Sequence, residues 1–351
     1  MNLNCESAIL MEASTGRILY EQNKNAPLPP ASVTKIMTLL LVMEEIDSGN
    51  LKLTDTLQAS EYAASMGGSQ VFIEPGESMT VEELLKSVVI ASANDAAVVL
   101  AENISGSVEA FVERMNSRAK ELGMTDSNFE NPTGLDDNVT NHVTSAYDIA
   151  IMSRELLRHE TILNYTNIWM DTIRNGEFGL TNTNRLIRFY QGANGLKTGS
   201  TSKAKFCISA TAKRNGMQLI AVIMGSPTRD IRNEMAKKLL DYGFANYAVS
   251  EFEEGAAGDI KILGGTKDKT YTYHPQSTLL VGKGEDKNIE KKVMLPDSVN
   301  APIKAGQKVG EIVYLLNGNE IGKCDITVGE SIERMSYWQI LENLIKKYIM
   351  L

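Results

Sequence analysis

Apolar residues at Ile36, Leu39, Leu40, Met43 and Ile46 recur at helical spacing from Ser32 to about Asp47, and Gly49-Asn50 closes that segment. Upstream, two strand-like runs over 7–13 and 17–21 flank Ser14-Thr15-Gly16, a pattern that predicts a hairpin. Pro27-Leu28-Pro29-Pro30 is a stiff connection from that hairpin into the helix. Residues 51–80 carry only short strand-like stretches, with a turn at Glu74-Pro75-Gly76. Thr80-Val81-Glu82-Glu83 has the form of a capping box and opens a helix through Ile90. Ser92-Ala93-Asn94-Asp95 interrupts it, and a second apolar helix runs on to about Ser105. Further helices are predicted over 107–122 and over 145–159, the latter with Asp148 and Arg154 on its polar side; between them Asn131-Pro132-Thr133-Gly134 reads as a turn.

From Leu186 onward the period changes from helix to strand, with strands over 195–201, 206–212 and 219–224. Lys213-Arg214-Asn215-Gly216 has hairpin-turn chemistry between the last two, and a helix over 229–242 ends at Gly243. The fold class is therefore α/β (α+β): a helix cluster with an antiparallel sheet that joins the N-terminal hairpin to the late strands, without regular βαβ alternation. Residues 255–329 are glycine-rich with short apolar runs, and Asn317-Gly318-Asn319 sits between two of them as a hairpin turn, which predicts a small all-β sandwich. Over 331–351 the residues Met335, Trp338, Leu341, Leu344, Ile345, Tyr348 and Ile349 line one side of a helix, with Glu333, Glu342, Lys346 and Lys347 largely on the other. Such a face either docks on the β domain or lies in the plane of a membrane. The aromatic residues and the terminal Ile349-Met350-Leu351 favour the membrane. Three segments result: 1–248, 249–329 and 330–351.

Composition narrows the function. A net charge of −9 argues against a nucleic-acid binder. Cys5, Cys207 and Cys324 are far apart, and His142, His159 and His274 show no metal-ligand spacing, so no metal site, cofactor or disulfide framework is expected. A Ser-His-Asp triad stays open from the residues alone, although no G-x-S-x-G elbow accompanies any histidine. No apolar run is long enough to span a bilayer.

Chemistry enters at Ser32-Val33-Thr34-Lys35. A serine and a lysine three apart at a helix start lie on neighbouring faces of one turn, where the amine can take the hydroxyl proton once burial or nearby positive charge lowers its pKa. The pattern alone is weak, because S-x-x-K also begins at Ser117, Ser200 and Ser202, and Ser32 by itself also suits a helix N-cap. What distinguishes Ser32 is the order Ser32-x-x-Lys35, Ser92-x-Asn94, Lys197-Thr198-Gly199, placed respectively at a helix start, between two helices and on a strand.

With these three motifs the chain resembles the penicillin-recognising serine D,D-peptidases, and within them the low-molecular-mass D-alanyl-D-alanine carboxypeptidases. The likeness extends to Gly68-Ser69-Gln70, Pro132-Thr133-Gly134-Leu135, Arg229-Asp230-Ile231-Arg232, the β-rich second domain and the amphipathic last helix. The resemblance implies that Ser32 attacks the carbonyl between two D-alanines of a peptidoglycan stem pentapeptide, forming an acyl-enzyme, and that penicillins and other β-lactams acylate the same serine. It implies Lys35 as base, Ser92 as proton relay to the leaving amine, and Asn94 as holder of both the substrate amide and Lys35. Lys197 would hold down the Lys35 pKa and attract the terminal carboxylate, and Thr198 would donate to that carboxylate. Gly199 would leave room for the substrate along the strand edge. The N–H groups of Ser32 and Ser200 would form the oxyanion hole, with Thr201 and Arg232 as further carboxylate binders. Arg232 also reads as a solvated charge at a helix start. Glu160-Thr161-Ile162-Leu163-Asn164 matches the deacylation motif of class A β-lactamases, but it lies nearer the third motif than the second, the reverse of their order, and reads as a solvated helix end.

The expected function is a serine-type D-Ala-D-Ala carboxypeptidase at the outer face of the cytoplasmic membrane, held there by the last helix, with its leader removed and Met1 restoring a start. A β-lactamase, a D,D-transpeptidase and a non-catalytic cell-wall peptide-binding module are the competing readings.

Overall fold

The computed structural model describes residues 2–137 and 139–349, which divide into two compact units between Asn246 and Tyr247. The first unit begins with the predicted hairpin, β1 (Ser7–Glu12) and β2 (Ile18–Gln22), and then α1 (Lys35–Asp47). A small ribbon follows, β3 (Thr56–Gln58) and β4 (Ser78–Thr80), with the one-turn α2 (Glu61–Ala64) between them. The helical layer continues with α3 (Val81–Lys86), α4 (Asn94–Ser105), α5 (Val108–Glu121), α6 (Ala146–Leu156) and the short α7 (Leu163–Thr166). A second ribbon, β5 (Met170–Ile173) and β6 (Phe178–Thr181), and the one-turn α8 (Leu186–Phe189) lead into β7 (Ala193–Thr201), β8 (Lys205–Arg214), β9 (Met217–Ser226) and α9 (Arg229–Asn246).

The main sheet has the order β2-β1-β9-β8-β7, antiparallel throughout, so the first and last strands of the unit close into one surface. Both of its faces are covered. Ile9, Met11, Ile220, Val222 and Met224 join the helical core with Ile36, Leu39, Leu40 and Met43 of α1, while Gly243 of α9 lies against Leu10 and Leu219 on the opposite face. Double-sided burial explains why β1 and β9 read as nearly unbroken apolar runs. This order leaves β7 at the sheet edge, with one side of its backbone unpaired by the sheet.

Local chemistry sets the boundaries. Thr80 and Glu83 form the predicted reciprocal capping box. Asn215-Gly216 and Asn317-Gly318 all have positive φ, as a two-residue hairpin turn requires. One expectation is corrected. Asp148 is fully buried, because it sits in the first turn of α6 under the Ser145 cap, where its carboxylate accepts from the Asp126 N–H and the Ser127 hydroxyl.

The second unit contains β10 (Tyr247–Phe252), β11 (Gly255–Leu263), β12 (Lys269–His274), β13 (Ser277–Gly282), β14 (Ile289–Met294), β15 (Ser298–Asn300), β16 (Lys308–Leu316) and β17 (Asn319–Val328). Its six-stranded sheet runs β14-β16-β17-β12-β11-β15, and the β10-β13 ribbon packs Phe252 and Leu279 against Ile312, Tyr314 and Ile326. The last helix, α10 (Tyr337–Ile349), starts later than the predicted Ser331. The cause is Ile332, which is buried with Ile260, Ile262 and Ile303 and pairs with Ile303, so 331–335 still belongs to the β structure. Ser336 and Gln339 exchange hydrogen bonds as the cap of α10. Met350 and Leu351 lie outside the described residues, as do the side chains of Lys347, Tyr348 and Ile349.

The Ser145 hydroxyl accepts from the Asp148 N–H at 3.1 Å in a buried setting. Ser145→Ala is expected to destabilise the chain by about 1–2 kcal/mol, seen as a lower urea midpoint with an unchanged slope.

Candidate active site

Ser32 lies in a 3-10 turn, Ala31–Thr34, that precedes α1 and follows Pro30. No side-chain capping bond closes that turn, so Ser32 is not a helix N-cap. Ala31 adopts φ 49°, a costly conformation for a residue with a Cβ, and the turn it creates presents Ser32. Three residues on, Lys35 is completely buried. Its Nζ lies 3.0 Å from Ser32 Oγ, 2.5 Å from Asn94 Oδ1 and 2.9 Å from the Thr133 carbonyl. A neutral amine has two hydrogens and one lone pair. Asn94 Oδ1 and the Thr133 carbonyl can only accept, so they take the two hydrogens and the lone pair is left for the Ser32 hydroxyl proton. Burial, reinforced by the Lys197 ammonium, holds the Lys35 pKa well below the usual lysine range, while Asp95 opposes the shift.

Ser92 ends a π-helical turn over Ser87–Ala91 in the left-handed region, φ 65°, and this break swings its hydroxyl toward β7. Lys197, also buried, donates to Ser92 Oγ at 2.8 Å and to the Thr198 carbonyl at 2.9 Å. Burial first and the Arg232 guanidinium second bring the Lys197 pKa down to about 7. Two lysines thus flank Ser32 and Ser92, each within hydrogen-bond reach of one serine.

These groups open into a groove lined by Ser32, Ser92, Thr198, Gly199, Ser200 and Arg232, which the sequence motifs had singled out. Ser69, Thr183 and Arg229 complete the lining. Thr198 donates to Thr183 Oγ1 at 2.8 Å, so the two hydroxyls form a pair beside the arginines. Arg232 is 3% exposed, which corrects its reading as a solvated helix-start charge; its guanidinium meets Asn233 Oδ1 and the Cys207 carbonyl, and burial with Arg229 nearby lowers its pKa to about 10. A buried cation supplied with neutral partners raises the affinity of the groove for an anion.

Three of the site residues are also engaged by the protein itself. Asn94 holds Lys35 through Oδ1, and its amide nitrogen gives one of its two hydrogens to the Gly67 carbonyl at 2.7 Å. Thr201 donates to Asp136 at 2.5 Å and accepts from the Ala204 N–H, which takes its hydroxyl out of the groove. Gly199 is required by the enzyme's own backbone, since a Cβ there would stand 2.8 Å from Ser32 N and Pro30 O. Ser200, one step on, is exposed on the groove side. Glu160 is exposed and outside the lining. The two histidines of the first unit are engaged elsewhere: His142 Nδ1 accepts from the Glu130 N–H, so its Nε2 proton points to Thr34 Oγ1 at 2.7 Å, and burial lowers its pKa to about 4. His159 meets Asp47, and His274 belongs to the second unit.

Thr183 carried no sequence signal. Gly67, Ser69 and Thr133 contribute mainly through carbonyls, which explains why no motif logic found them, although two of the quoted segments contain Ser69 and Thr133. Gly134, at φ +83°, is packed so tightly that a Cβ would stand 1.9 Å from the Ala31 carbonyl, fixing the Thr133 carbonyl against Lys35. Gly199→Ala is expected to displace the Ser32 turn and slow acylation of Ser32 by a penicillin about 100-fold. Stopped-flow labelling checks this, and an unchanged rate contradicts the packing argument.

Comparison with known proteins agrees with this geometry. Residues 1–228 match the D-alanyl-D-alanine carboxypeptidase family, peptidase S11, and residues 250–334 match the C-terminal domain of penicillin-binding protein 5. The chain is 44% identical to the D-alanyl-D-alanine carboxypeptidase DacF of Bacillus subtilis over 96% of its own length and 88% of that protein, and 31% identical to DacC of Escherichia coli over 96% and 86%. Among solved structures it is similar to penicillin binding protein 5 from Haemophilus influenzae, with a TM-score of 0.84 and 30% identity, covering 95% of this chain and 99% of that one. The ampicillin-bound penicillin-binding protein D2 of Listeria monocytogenes aligns with a TM-score of 0.64 and 31% identity over 70% of this chain and 99% of that one. The chain belongs to the serine D-alanyl-D-alanine carboxypeptidases of peptidase family S11, the low-molecular-mass penicillin-binding proteins.

Proposed function

We propose that the carboxypeptidase reaction runs through Ser32, Lys35, Ser92 and Lys197, and that the substrate is the D-Ala-D-Ala end of a peptidoglycan stem peptide. The observation that carries this reading is the buried Lys35 amine 3.0 Å from Ser32 Oγ, with two fixed acceptors for its own hydrogens. Ser32 Oγ bonds to the penultimate carbonyl carbon while its proton passes to Lys35 Nζ. The N–H groups of Ser32 and Ser200 receive the oxyanion. As the peptide C–N bond breaks, Ser92 gives its proton to the departing D-alanine amine and takes one back from the Lys35 ammonium, so that Lys35 is again a free amine, and Lys197, hydrogen-bonded to Ser92, supports that transfer. Water then hydrolyses the Ser32 ester. The terminal carboxylate lies at Lys197, Thr198 and Arg232, where the buried cations favour it, and the substrate backbone extends along the free edge of β7. The same acylation opens the β-lactam ring, in keeping with the ampicillin-bound relative.

For location, the reading is the outer face of the cytoplasmic membrane. Its support is α10, on which Trp338, Leu341, Leu344 and Ile345 are exposed, Trp338 at 75%. Among the described residues no helix is long and apolar enough to cross a membrane, and an exposed amphipathic helix with aromatic residues suits the interface plane. Leu341→Glu with Ile345→Glu is expected to abolish co-sedimentation of the chain with phosphatidylglycerol vesicles. Undiminished co-sedimentation contradicts the anchor.

Intact-mass spectrometry with peptide mapping after penicillin exposure tests the chemistry. A long-lived adduct on Ser32, with Ser32→Ala losing both the adduct and D-alanine release, is the expected result. Rapid antibiotic hydrolysis without accumulation favours a β-lactamase, and labelling undiminished in Ser32→Ala overturns the assignment.

A further inference from the structure

Thr183 lies between β6 and α8, in a segment without periodic pattern, yet the protein fixes it from both sides. The flanking Asn182 and Asn184 are both buried. Asn182 donates through Nδ2 to the Ile168 carbonyl at 2.8 Å and accepts through Oδ1 from the Asn184 N–H at 2.8 Å. Asn184 donates through Nδ2 to the Gly195 carbonyl of β7 at 2.8 Å and accepts from the Leu186 N–H at 3.1 Å. The Thr183 N–H donates to the Ile90 carbonyl at 3.1 Å, within the π-helical turn that Ser92 ends. Buried amides bonded in this way hold a backbone rigidly. Asn182-Thr183-Asn184 is therefore a bracket between the Ser92 turn and β7, with Thr183 lining the groove.

A hydroxyl has one hydrogen to give. Thr198 gives its own to Thr183 Oγ1 at 2.8 Å, so that hydrogen is taken up within the protein. The Thr183 hydrogen has no protein acceptor among the described residues. Burial agrees with this order, since Thr198 is 6% exposed and Thr183 is half-buried. The pair thus presents one hydrogen to the groove, from its outer member, in the same lining as Arg229 and Arg232. A donor placed with cations suits an acceptor that is itself an anion.

We propose that Thr183 is a specificity-determining residue of this carboxypeptidase: its hydroxyl donates to the terminal carboxylate of the substrate, and Thr198 acts through it by donating to Thr183 Oγ1. The proposal rests on the reading that places that carboxylate at Lys197, Thr198 and Arg232. A donor already held by the bracket loses little freedom when the substrate binds. An uncharged end, such as an ester or a chain that continues, forgoes the charge-assisted part of the bond. Thr183 therefore favours hydrolysis of a terminal over an internal peptide bond.

A pair of activated D-alanyl thioesters tests this on the full chain: N-benzoyl-D-alanyl thioglycolate, whose leaving group carries a free carboxylate, and its methyl ester. The readout is the ratio of their kcat/KM values, in which a loss common to both cancels. The wild type is expected to prefer the free acid. Thr183→Val, which exchanges the hydroxyl for a methyl group of similar size, is expected to lower that preference about 10-fold. Thr183→Ser is expected to keep it, and Thr183→Ala serves if Thr183→Val does not fold. Thr198→Val is expected to lower the preference less than Thr183→Val does, because it leaves the outer donor in place. A preference unchanged by loss of the Thr183 hydroxyl, whether both thioesters slow equally or neither does, overturns the proposal. So does a larger fall in Thr198→Val, since Thr198 then meets the carboxylate itself. A wild type without preference for the free acid overturns the carboxylate site, and the proposal with it.

Discussion

Two buried lysines in one cleft cannot both be ammonium ions at low cost. Lys35 and Lys197 are each removed from solvent, and besides its own desolvation Lys35 is held down by the Lys197 charge and Lys197 by that of Arg232. The protein resolves the conflict asymmetrically. Lys35 faces two acceptor oxygens that leave its lone pair to Ser32, whereas Lys197 donates to the Ser92 hydroxyl, which lines the groove together with Thr198 and Arg232. In the proposed reaction one lysine takes the proton and the other supplies charge. A fold that exposed either of them would restore an ordinary pKa and lose the division of labour.

The architecture follows from this demand. Lys35 is hidden because α1 is buried among the other helices and the sheet, and it is the first residue of that helix rather than a surface position. Lys197 is hidden although β7 is an edge strand, because the Ser32 turn packs on the strand so closely that only glycine fits at 199. The free edge beyond that contact is where an extended peptide can add as a further strand. Strain concentrates here as well: Ala31 and Ser92 hold left-handed conformations, at about 1–3 kcal/mol each. The large shared core around them over-determines both positions.

Much of this was legible before the structure. The three motifs, their order, the hairpin-to-late-strand sheet and the β-rich second unit follow from periodicity, turn chemistry and resemblance. Side-chain reach was less legible. Thr201 has the right chemistry to meet a substrate, yet Asp136 claims its hydroxyl, and Gly67 takes one of the two amide hydrogens of Asn94. Those partners lie in loops without periodic pattern, so sequence spacing gave no access to them. Asp148 was misplaced for a related reason: a charged residue in the first helical turn reads as solvated until a loop such as 126–127 covers it. The start of α10 was placed too early because Ile332 fits a helical stripe as well as a strand pairing.

The central claim is that Lys35 is a free amine under working conditions while Lys197 remains charged. The pH dependence of second-order penicillin acylation at Ser32 tests it most directly. The account predicts a rate that rises as Lys35 sheds its proton, peaks on the acid side of pH 7, and declines as Lys197 loses its charge around its lowered value of about 7. A rate that keeps climbing tenfold per pH unit toward the pKa of an exposed lysine would contradict it.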